Sequence, residues 1–493
     1  MGLVLNHPEL LSDIGDVVRM FDPCPVTLTQ DRTGRVLVHE VKKEEDCWRQ
    51  RAELWEEGRL TASNERSDPI PKARPLIQKR IFRRAAKLCV YDLMKKATGK
   101  ILPWGSLTGV RPGKLFRDLA EENGPEDAQR ILRETYDVSP TKIELLRRIY
   151  SEQKPFLDST DVRDVDIYIG VPFCRTRCVY CSFAAYAGVK EDLKTRYVDT
   201  LLQEMEGVWQ QLGDRLRVRS VYVGGGTPTA LPVRQLRRIL QKAHELFDPM
   251  PEFTVEAGRP DTLDPEIFAM LKDEGVDRIC INPQTMNLKT LQIIGREYGE
   301  GEIERAFGEA RKAGFSWINM DVIAGLPGET AADFEKTLAK IRQLAPENLT
   351  VHTLAIKRAS ELKERLREYA LAPVAEVERM LELSCKTADE LSMEPYYLYR
   401  QKYMTGNLEN VGWGRKGSFC IYNIDTMEEL TSNLAFGAGA ITKRYFKKDN
   451  RIERAPNVRN LGDYFSRTPE MIERKIKLFG PSVDIEGGRT YND

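Results

Sequence analysis

The sequence predicts an α/β protein: a partial (β/α)6 TIM-like barrel, preceded by an α+β domain and followed by a C-terminal extension. Three observations lead there. Apolar, strand-like runs alternate six times with helical patterns between residues 167 and 391. This rhythm calls for parallel strands, because a crossover helix must carry the chain back before each next strand. The preceding residues lack the rhythm, and a polar, charged stretch from Asp158 to Asp166 divides the two. At about 150 residues per domain, 493 residues make room for three parts, read as 1–160, 161–400 and 401–493.

In the first part, apolar and polar residues alternate from Cys24 to Val41 and predict a hairpin about the turn at Asp31 to Gly34. Pro69, Pro71 and Pro75 lead into a helix from about Leu76 to Ala97, where Ile77, Ile81, Ala85, Leu88 and Cys89 recur every three or four residues. Trp104 to Pro112 reads as a loop, and a helix near Thr141 to Glu152 ends close to Pro155. The six barrel strands are expected at Ile167–Val171, Ser220–Val223, Phe253–Val255, Arg278–Ile281, Trp317–Ile323 and Leu349–Ala355. Helices are expected near Leu193–Leu212, Pro232–Phe247, Pro265–Glu274, Glu302–Ala313, Ala331–Leu344 and Val374–Leu391. The extension holds a Tyr- and Gly-rich stretch, the run Gly437-Ala-Gly-Ala440 and a basic helical tail.

Lys plus Arg and Asp plus Glu are both 75, so no cationic excess marks a chain built to coat nucleic acid, although a local basic patch stays open. A mean hydropathy of −0.45 and the lack of an apolar run near the ~20 residues of a membrane span argue against a membrane protein. Met1 to Pro8 has no basic and then apolar leader, and Asn6 replaces the Ser or Thr of a myristoylation signal after Gly2. A cytoplasmic monomer, without nucleic-acid partner, is expected.

Nine cysteines are a poor disulfide framework. Cys24, Cys47, Cys89, Cys280, Cys385 and Cys420 read as small buried hydrophobes. Cys174, Cys178 and Cys181 crowd into eight residues just past the first barrel strand. Three thiolates in one loop can hold a metal or three irons of a cluster. A structural zinc normally takes four protein ligands, and no Cys or His follows closely; His244 and His352 are distant in sequence. A 4Fe–4S cluster on three thiolates leaves one iron open to a small molecule.

The other strand ends carry polar or glycine residues too. They are Gly224-Gly-Gly-Thr-Pro-Thr229, Glu256-Ala-Gly-Arg259, Asn282-Pro-Gln284, Asp321 with Ala324-Gly-Leu-Pro-Gly328, and Ala355-Ile-Lys-Arg358. In a parallel barrel the active site lies at these C-terminal ends.

Together these residues resemble the radical S-adenosylmethionine (SAM) superfamily, in which three cysteines at this spacing follow the first strand with an aromatic, here Tyr180, before the last. Tyr168-Ile-Gly-Val-Pro-Phe-Cys174, the GGGTPT run and Asn319 to Gly328 are similar to the oxygen-independent coproporphyrinogen III oxidase family. Tyr399 to Gly412 and Leu107-Thr-Gly-Val-Arg-Pro112 look like its HemZ-type branch, coproporphyrinogen dehydrogenase. The resemblance implies a 4Fe–4S cluster on Cys174, Cys178 and Cys181, its open iron chelated by SAM. It implies that Tyr168, Gly225 and Glu256 contact this first molecule, with Tyr168 and Glu256 as catalytic residues and Ile441 as a further contact. It places Tyr180, Gly226, Thr227, Gln284, Arg296, Asp321 and Ala355 about a second SAM.

The implied reaction converts coproporphyrinogen III propionates to vinyls, giving protoporphyrinogen IX, with a flavodoxin or ferredoxin as electron donor. Four propionates call for cationic partners. Lys357, Arg358, Arg259, Arg400, Lys402 and, more remotely, Arg111 are the candidates. Phe183 stands where coproporphyrinogen oxidases carry a further cysteine, one that the haem-chaperone branch also lacks. The alternatives are accordingly a haem-binding chaperone or a radical SAM enzyme acting on another tetrapyrrole; an RNA-modifying enzyme is disfavoured by the charge balance.

Overall fold

The computed structural model describes residues 1–480, apart from Arg32, Val110, Ala184, Tyr403, Lys448 and Asp449. Val110 and Tyr403 of the two HemZ-like motifs, and residues 481–493 of the extension, thus lie outside the described residues. The chain divides into two units: Met1–Arg147 with Gly406–Leu408, and the rest from Arg148 onward.

The N-terminal unit is a five-stranded sheet in the order β2-β1-β3-β4-β5. The strands are β1 (Gly2–Leu5), β2 (Thr27–Leu28), β3 (Arg35–Lys43), β4 (Cys47–Glu56) and β5 (Arg59–Pro69). Trp48, Gln50, Ala52 and Leu54 of β4 are buried in alternation, as a strand's two-residue period requires. They face α1 (Leu11–Phe21) and α2 (Pro75–Thr98), whose Val17, Val18, Phe21, Ala86, Cys89 and Leu93 share their core. The expected Cys24–Val41 hairpin is not formed. Instead β1 takes the place beside β3, burying Leu3, and Thr27–Leu28 pairs parallel on its far side. The hairpins that do form join β3 to β4 and β4 to β5. Helices α3 (Pro112–Asn123), α4 (Pro125–Glu134) and α5 (Pro140–Asp158) follow. The division between units falls within α5 rather than in the polar stretch after it. Pro155 does not end α5, whose last turn is held by the Arg219 guanidinium donating to the Phe156 carbonyl at 2.9 Å and the Ser159 hydroxyl at 3.1 Å.

The second unit is the expected α/β barrel. Six parallel strands, β6 (Asp164–Val171), β9 (Arg217–Gly225), β10 (Phe253–Gly258), β11 (Arg278–Ile281), β12 (Trp317–Ala324) and β13 (Asn348–Thr353), lie side by side in chain order. All four residues of β11 are buried, as are most of the others, because helices cover one face and the lumen the other. The helices are α6 (Glu191–Leu212), α7 (Val233–Phe247), α8 (Pro265–Asp273), α10 (Glu302–Lys312), α11 (Ala331–Leu344) and α13 (Val374–Glu390). The short β7 (Phe173–Cys174), β8 (Tyr186–Ala187), α9 (Leu288–Ile293) and α12 (Glu361–Glu364) lie between them.

The extension continues the same sheet at both edges. β14 (Glu394–Tyr399) and β15 (Asn410–Gly414) add beyond β13, with β15 antiparallel to it. After α14 (Ile421–Glu428), β16 (Ser432–Phe436) joins β6 in parallel, followed by β17 (Ile441–Phe446) and β18 (Arg451–Pro456). The closing helix α15 (Leu461–Phe479) is anchored on α6 through buried Glu204, which accepts from Lys475 at 2.5 Å, Tyr464 at 2.6 Å and Asn457 at 2.7 Å. Every partner a buried carboxylate needs is thus supplied. Among the described residues no helix is long and apolar enough to cross a membrane.

Candidate active site

The cysteine loop leaves the C-terminal end of β6 and is closed by a parallel pairing of β7 with β8, Phe173 opposite Tyr186 and Cys174 opposite Ala187. Its middle is pinned on both sides. The Val179 N–H donates to the Ile294 carbonyl at 3.2 Å, and the Leu362 N–H donates to the Val179 carbonyl at 2.8 Å. The Val179 side chain sits in an apolar cluster with Leu291, Ile294, Ile323, Leu326 and Leu354. Fixing Val179 fixes its neighbours: the Cys181 N–H reaches the Cys178 carbonyl at 3.0 Å, and all three cysteines are free. Burial pushes the Cys174 and Cys181 thiols above their ordinary range, so a bound cation is what would favour the thiolates.

The glycine turn after β9 lies against this loop. The Gly226 N–H donates to the Val171 carbonyl at 2.8 Å and the Thr227 N–H to the Phe173 carbonyl at 2.7 Å, while the Thr227 hydroxyl lies 3.6 Å from the Cys174 sulfur. A Cβ on Gly226 would stand 2.5 Å from the Phe173 carbonyl oxygen, a backbone atom that cannot step aside. Gly225 has φ +112°, open to glycine and strained for other residues. A Cβ there would come 3.2 Å from the Tyr168 hydroxyl, so Tyr168 and the glycine turn share one wall.

The lumen behind this wall is acidic and aromatic. Glu256 is half-buried and accepts from the Tyr222 hydroxyl at 2.8 Å, and desolvation in the lumen pushes its carboxyl up to about 7. The Tyr168 and Tyr222 rings stack at 6.4 Å. Asp321 accepts from the Asn319 amide at 2.7 Å and pairs with His352 Nε2 at 3.6 Å. Burial pushes Asp321 up, but His352, Asn319 and Thr350 outweigh it and hold the carboxyl below its ordinary value. The Tyr399 hydroxyl meets His352 Nδ1 at 3.3 Å.

A second group forms over β11. Gln284 has φ +65°; its N–H donates to the Asp321 carbonyl and its own carbonyl accepts from Ile323, both at 2.9 Å. The Gln284 side-chain oxygen and that of Asn282 are buried with no partner among the described residues. Arg296 donates to the Asn282 carbonyl at 2.5 Å and approaches the Tyr180 hydroxyl at 3.5 Å. Ala355 bridges to Met404 beyond the end of β13. The structure therefore brings Cys174 to Thr227, Tyr168 to Gly225, Tyr180 to Arg296, and Gln284 to Asp321. Ile441 opens β17, one strand beyond the β16 that pairs with β6, and is 41% exposed.

Two of the proposed propionate partners are otherwise engaged. Arg259 is buried, forks onto Asp261 at 2.9 and 3.0 Å and donates to the Thr176 hydroxyl at 2.6 Å, so it braces the cysteine loop rather than awaiting a ligand. Arg400 is buried, and burial lowers its guanidinium to about 10. Lys357 is the better candidate: it is half-buried, burial holds its amine down, and among the described residues no carboxylate pairs with it. The sequence reading missed His352, Tyr222 and Tyr399. A polar residue inside an apolar parallel strand singled out Asp321 in β12, and the same signal applied to His352 in β13. A cavity of about 740 Å³ lined by Phe156, Trp209, Arg217 and Phe247 opens at the opposite, N-terminal end of the strands, away from these groups.

The sequence pattern of the Radical SAM superfamily matches residues 168–341, from β6 to α11, and so defines the class of this site and fold. The oxygen-independent coproporphyrinogen-III oxidase-like protein HemZ of Bacillus subtilis is 37% identical over 413 residues, 82% of each chain. The chain belongs to this HemZ family of radical SAM enzymes. The heme chaperone HemW of Bacillus subtilis is 33% identical over 193 residues, 38% of this chain and 50% of HemW. The fold is shared with coproporphyrinogen III oxidase (HemN) from Escherichia coli, with a TM-score of 0.50 and 22% identity over 65% of this chain and 73% of that one.

The family implies a 4Fe–4S cluster and SAM. The residues present fit both: three thiols on a braced loop for the cluster, a turn only glycine can make beside it, and unpartnered buried oxygens at Asn282 and Gln284 for a ligand's N–H groups.

Proposed function

We propose that this enzyme decarboxylates coproporphyrinogen III without oxygen, converting two propionates to vinyls and yielding protoporphyrinogen IX for haem biosynthesis in the cytoplasm. The observation that carries the reading is the meeting, at one end of one sheet, of the cysteine loop, the glycine turn and the Glu256–Asp321–His352 lumen. The similarity to HemZ over most of both chains supports it.

Cys174, Cys178 and Cys181 would hold the cluster, and Tyr168, Gly225, Glu256 and Ile441 the first SAM. Tyr180, Gly226, Thr227, Gln284, Arg296, Asp321 and Ala355 would surround a second. When bound, cluster and SAM supply one-electron cleavage of the sulfonium and a radical able to take hydrogen from a propionate, with a flavodoxin or ferredoxin as the electron source. The protein's own part is placement and exclusion of water. Glu256 in its ionised form accepts from the N–H groups of the ligand's amine, and the glycine turn lets backbone approach where a side chain would collide. His352 keeps Asp321 ionised. Lys357 offers its ammonium to a propionate at the mouth.

A second reading, haem chaperone, is favoured by one observation: Phe183, two residues past Cys181, is 68% exposed and offers an apolar face but no cysteine. Anaerobic reconstitution, then dithionite, SAM and coproporphyrinogen III, followed by mass spectrometry, separates the two. Loss of one and then two units of carbon dioxide together with two hydrogens, each matched by 5′-deoxyadenosine, supports the decarboxylase. Deoxyadenosine with an unchanged tetrapyrrole refutes it, and tight haem binding under those conditions favours the chaperone.

A further inference from the structure

Zero net charge over the whole chain conceals a segregation. Between Pro71 and Arg117 the chain carries thirteen Lys or Arg residues and a single acid, Asp92. Helix α2 occupies most of this stretch. Its Ala86, Cys89, Val90 and Leu93 are buried in the core of the N-terminal sheet, while Lys79, Arg80, Arg83, Arg84 and Lys87 recur along its first turns on another side.

Lys79, Arg80 and Arg84 are exposed, and among the described residues no carboxylate lies in ion-pair range of them; Arg84 reaches only the Tyr136 hydroxyl, at 3.3 Å. Arg83 and Lys87 share one acid, Asp13, at 3.7 and 4.0 Å. Lys79 with Arg83, Arg80 with Arg84, and Arg83 with Lys87 stand four residues apart, the spacing at which like charges on a helix repel. The Lys87 ammonium also donates to Thr108 at 3.3 Å, drawing in the loop that leads to α3, where Arg111 and Lys114 stand.

We propose that this face of the N-terminal unit binds the phosphate backbone of a nucleic acid. Four helical residues advance about 6 Å, so the cations form rows with a short, regular repeat, suited to an anion that is itself a repeating chain. A polyanion relieves the repulsion that the empty helix bears. A membrane-seeking basic helix would need an apolar face beside the charges, but among the described side chains of α2 only Ile77 is large, apolar and exposed. A protein partner would likewise want buried apolar anchors. No exposed aromatic on α2 offers a base-stacking platform, so the binding reads backbone and not sequence.

The test is fluorescence anisotropy of a fluorescein-labelled 20-mer oligouridylate with the full chain, from 50 to 300 mM KCl. Binding is expected at low salt, with log affinity falling against log salt at a slope of about −2 to −4, as three to five phosphate contacts on a single strand give. Arg80→Glu with Arg84→Glu should weaken it at least about tenfold, and Arg80→Gln with Arg84→Gln should do so to a lesser degree if the acidic pair disturbs folding. Unlabelled inorganic polyphosphate should compete, and vesicles with 30% phosphatidylserine should not. Absence of binding at 50 mM KCl, affinity unchanged in both variants, or capture by vesicles without capture of RNA would each overturn the proposal.

Discussion

Glu256→Gln tests the electrostatics of the lumen most directly. Desolvation in the lumen pushes the wild-type carboxyl up to about 7, against an ordinary 4.5. The folded-state value is the raised one, so the folded state keeps a proton that the unfolded chain gives up between pH 4.5 and 7. The neutral form is tolerated below that window, and stability is lost as pH rises through 7. At pH 8 the buried charge costs the empty site about 3 kcal/mol. If Glu256 accepts the N–H groups of the SAM amine, that cost is what the ligand offsets, and only the ionised form binds well. Wild-type affinity should then rise about tenfold from pH 6 to pH 8, as the ionised fraction rises. The Gln variant should lose this slope and bind about 10- to 100-fold more weakly at pH 8, the worth of a hydrogen bond to a charged group. Its empty form should melt higher than wild type at that pH. Anaerobic equilibrium dialysis on cluster-reconstituted protein and thermal unfolding at the two pH values read these out. A wild-type affinity flat between pH 6 and 8, or a Gln variant that binds as tightly at pH 8, would refute the assignment.

Cys178→Ala should abolish the iron–sulfur absorbance and all SAM cleavage, while leaving the circular dichroism of the barrel intact. Gly226→Ala forces a Cβ against the Phe173 carbonyl oxygen 2.5 Å away; the loop should move, with about 1–3 kcal/mol of stability and most cleavage activity lost in urea unfolding and turnover assays. His352→Phe removes the principal group that holds Asp321 low; turnover should fall about tenfold and its pH profile move upward, with iron content unchanged. In the N-terminal unit, burial holds His39 down to about 4, neutral against its Gln50 partner at 3.0 Å. Its unfolded form takes up a proton below 6.5, so stability present above that pH is lost as pH falls toward 4. Between pH 7 and 5 the loss should be about 2 kcal/mol, and His39→Gln should remove that share of it.

The barrel was legible because its code is local. A parallel strand buried on both faces reads as a short apolar run, and β11 stands at Arg278–Ile281 as expected, with α11 at Ala331–Leu344. Antiparallel strands with one solvated face carry no such signal. The β17 sequence Ile-Thr-Lys-Arg-Tyr-Phe and the charged alternation of β4 and β5 are half-solvated, and their pairing depends on partners elsewhere in the chain. The place of β1 between β2 and β3 was hidden for the same reason: a four-residue run says nothing of which neighbour it will displace. At the site, the cysteines were legible from spacing and the strand-end residues from topology. Arg259 was not, since its engagement with Asp261 and Thr176 arises only when the cysteine loop folds over β10. His352 was passed over because a single histidine in an apolar strand reads as core.

The parallel join of β6 to β16 sets a clock on synthesis. Asp166 in β6 meets Thr431, 265 residues further on. At about 5–20 residues per second, translation covers that interval in about 13 to 50 s. Throughout it, the strand that bears Tyr168 has its β16-facing edge bare and the three thiols beyond it are already made. An open strand edge recruits other chains, so a nascent polypeptide of this family is most vulnerable just after its cysteine loop has emerged. Slowing elongation between β13 and β16 should therefore depress the yield of assembled protein more than the same pause placed after α15 begins.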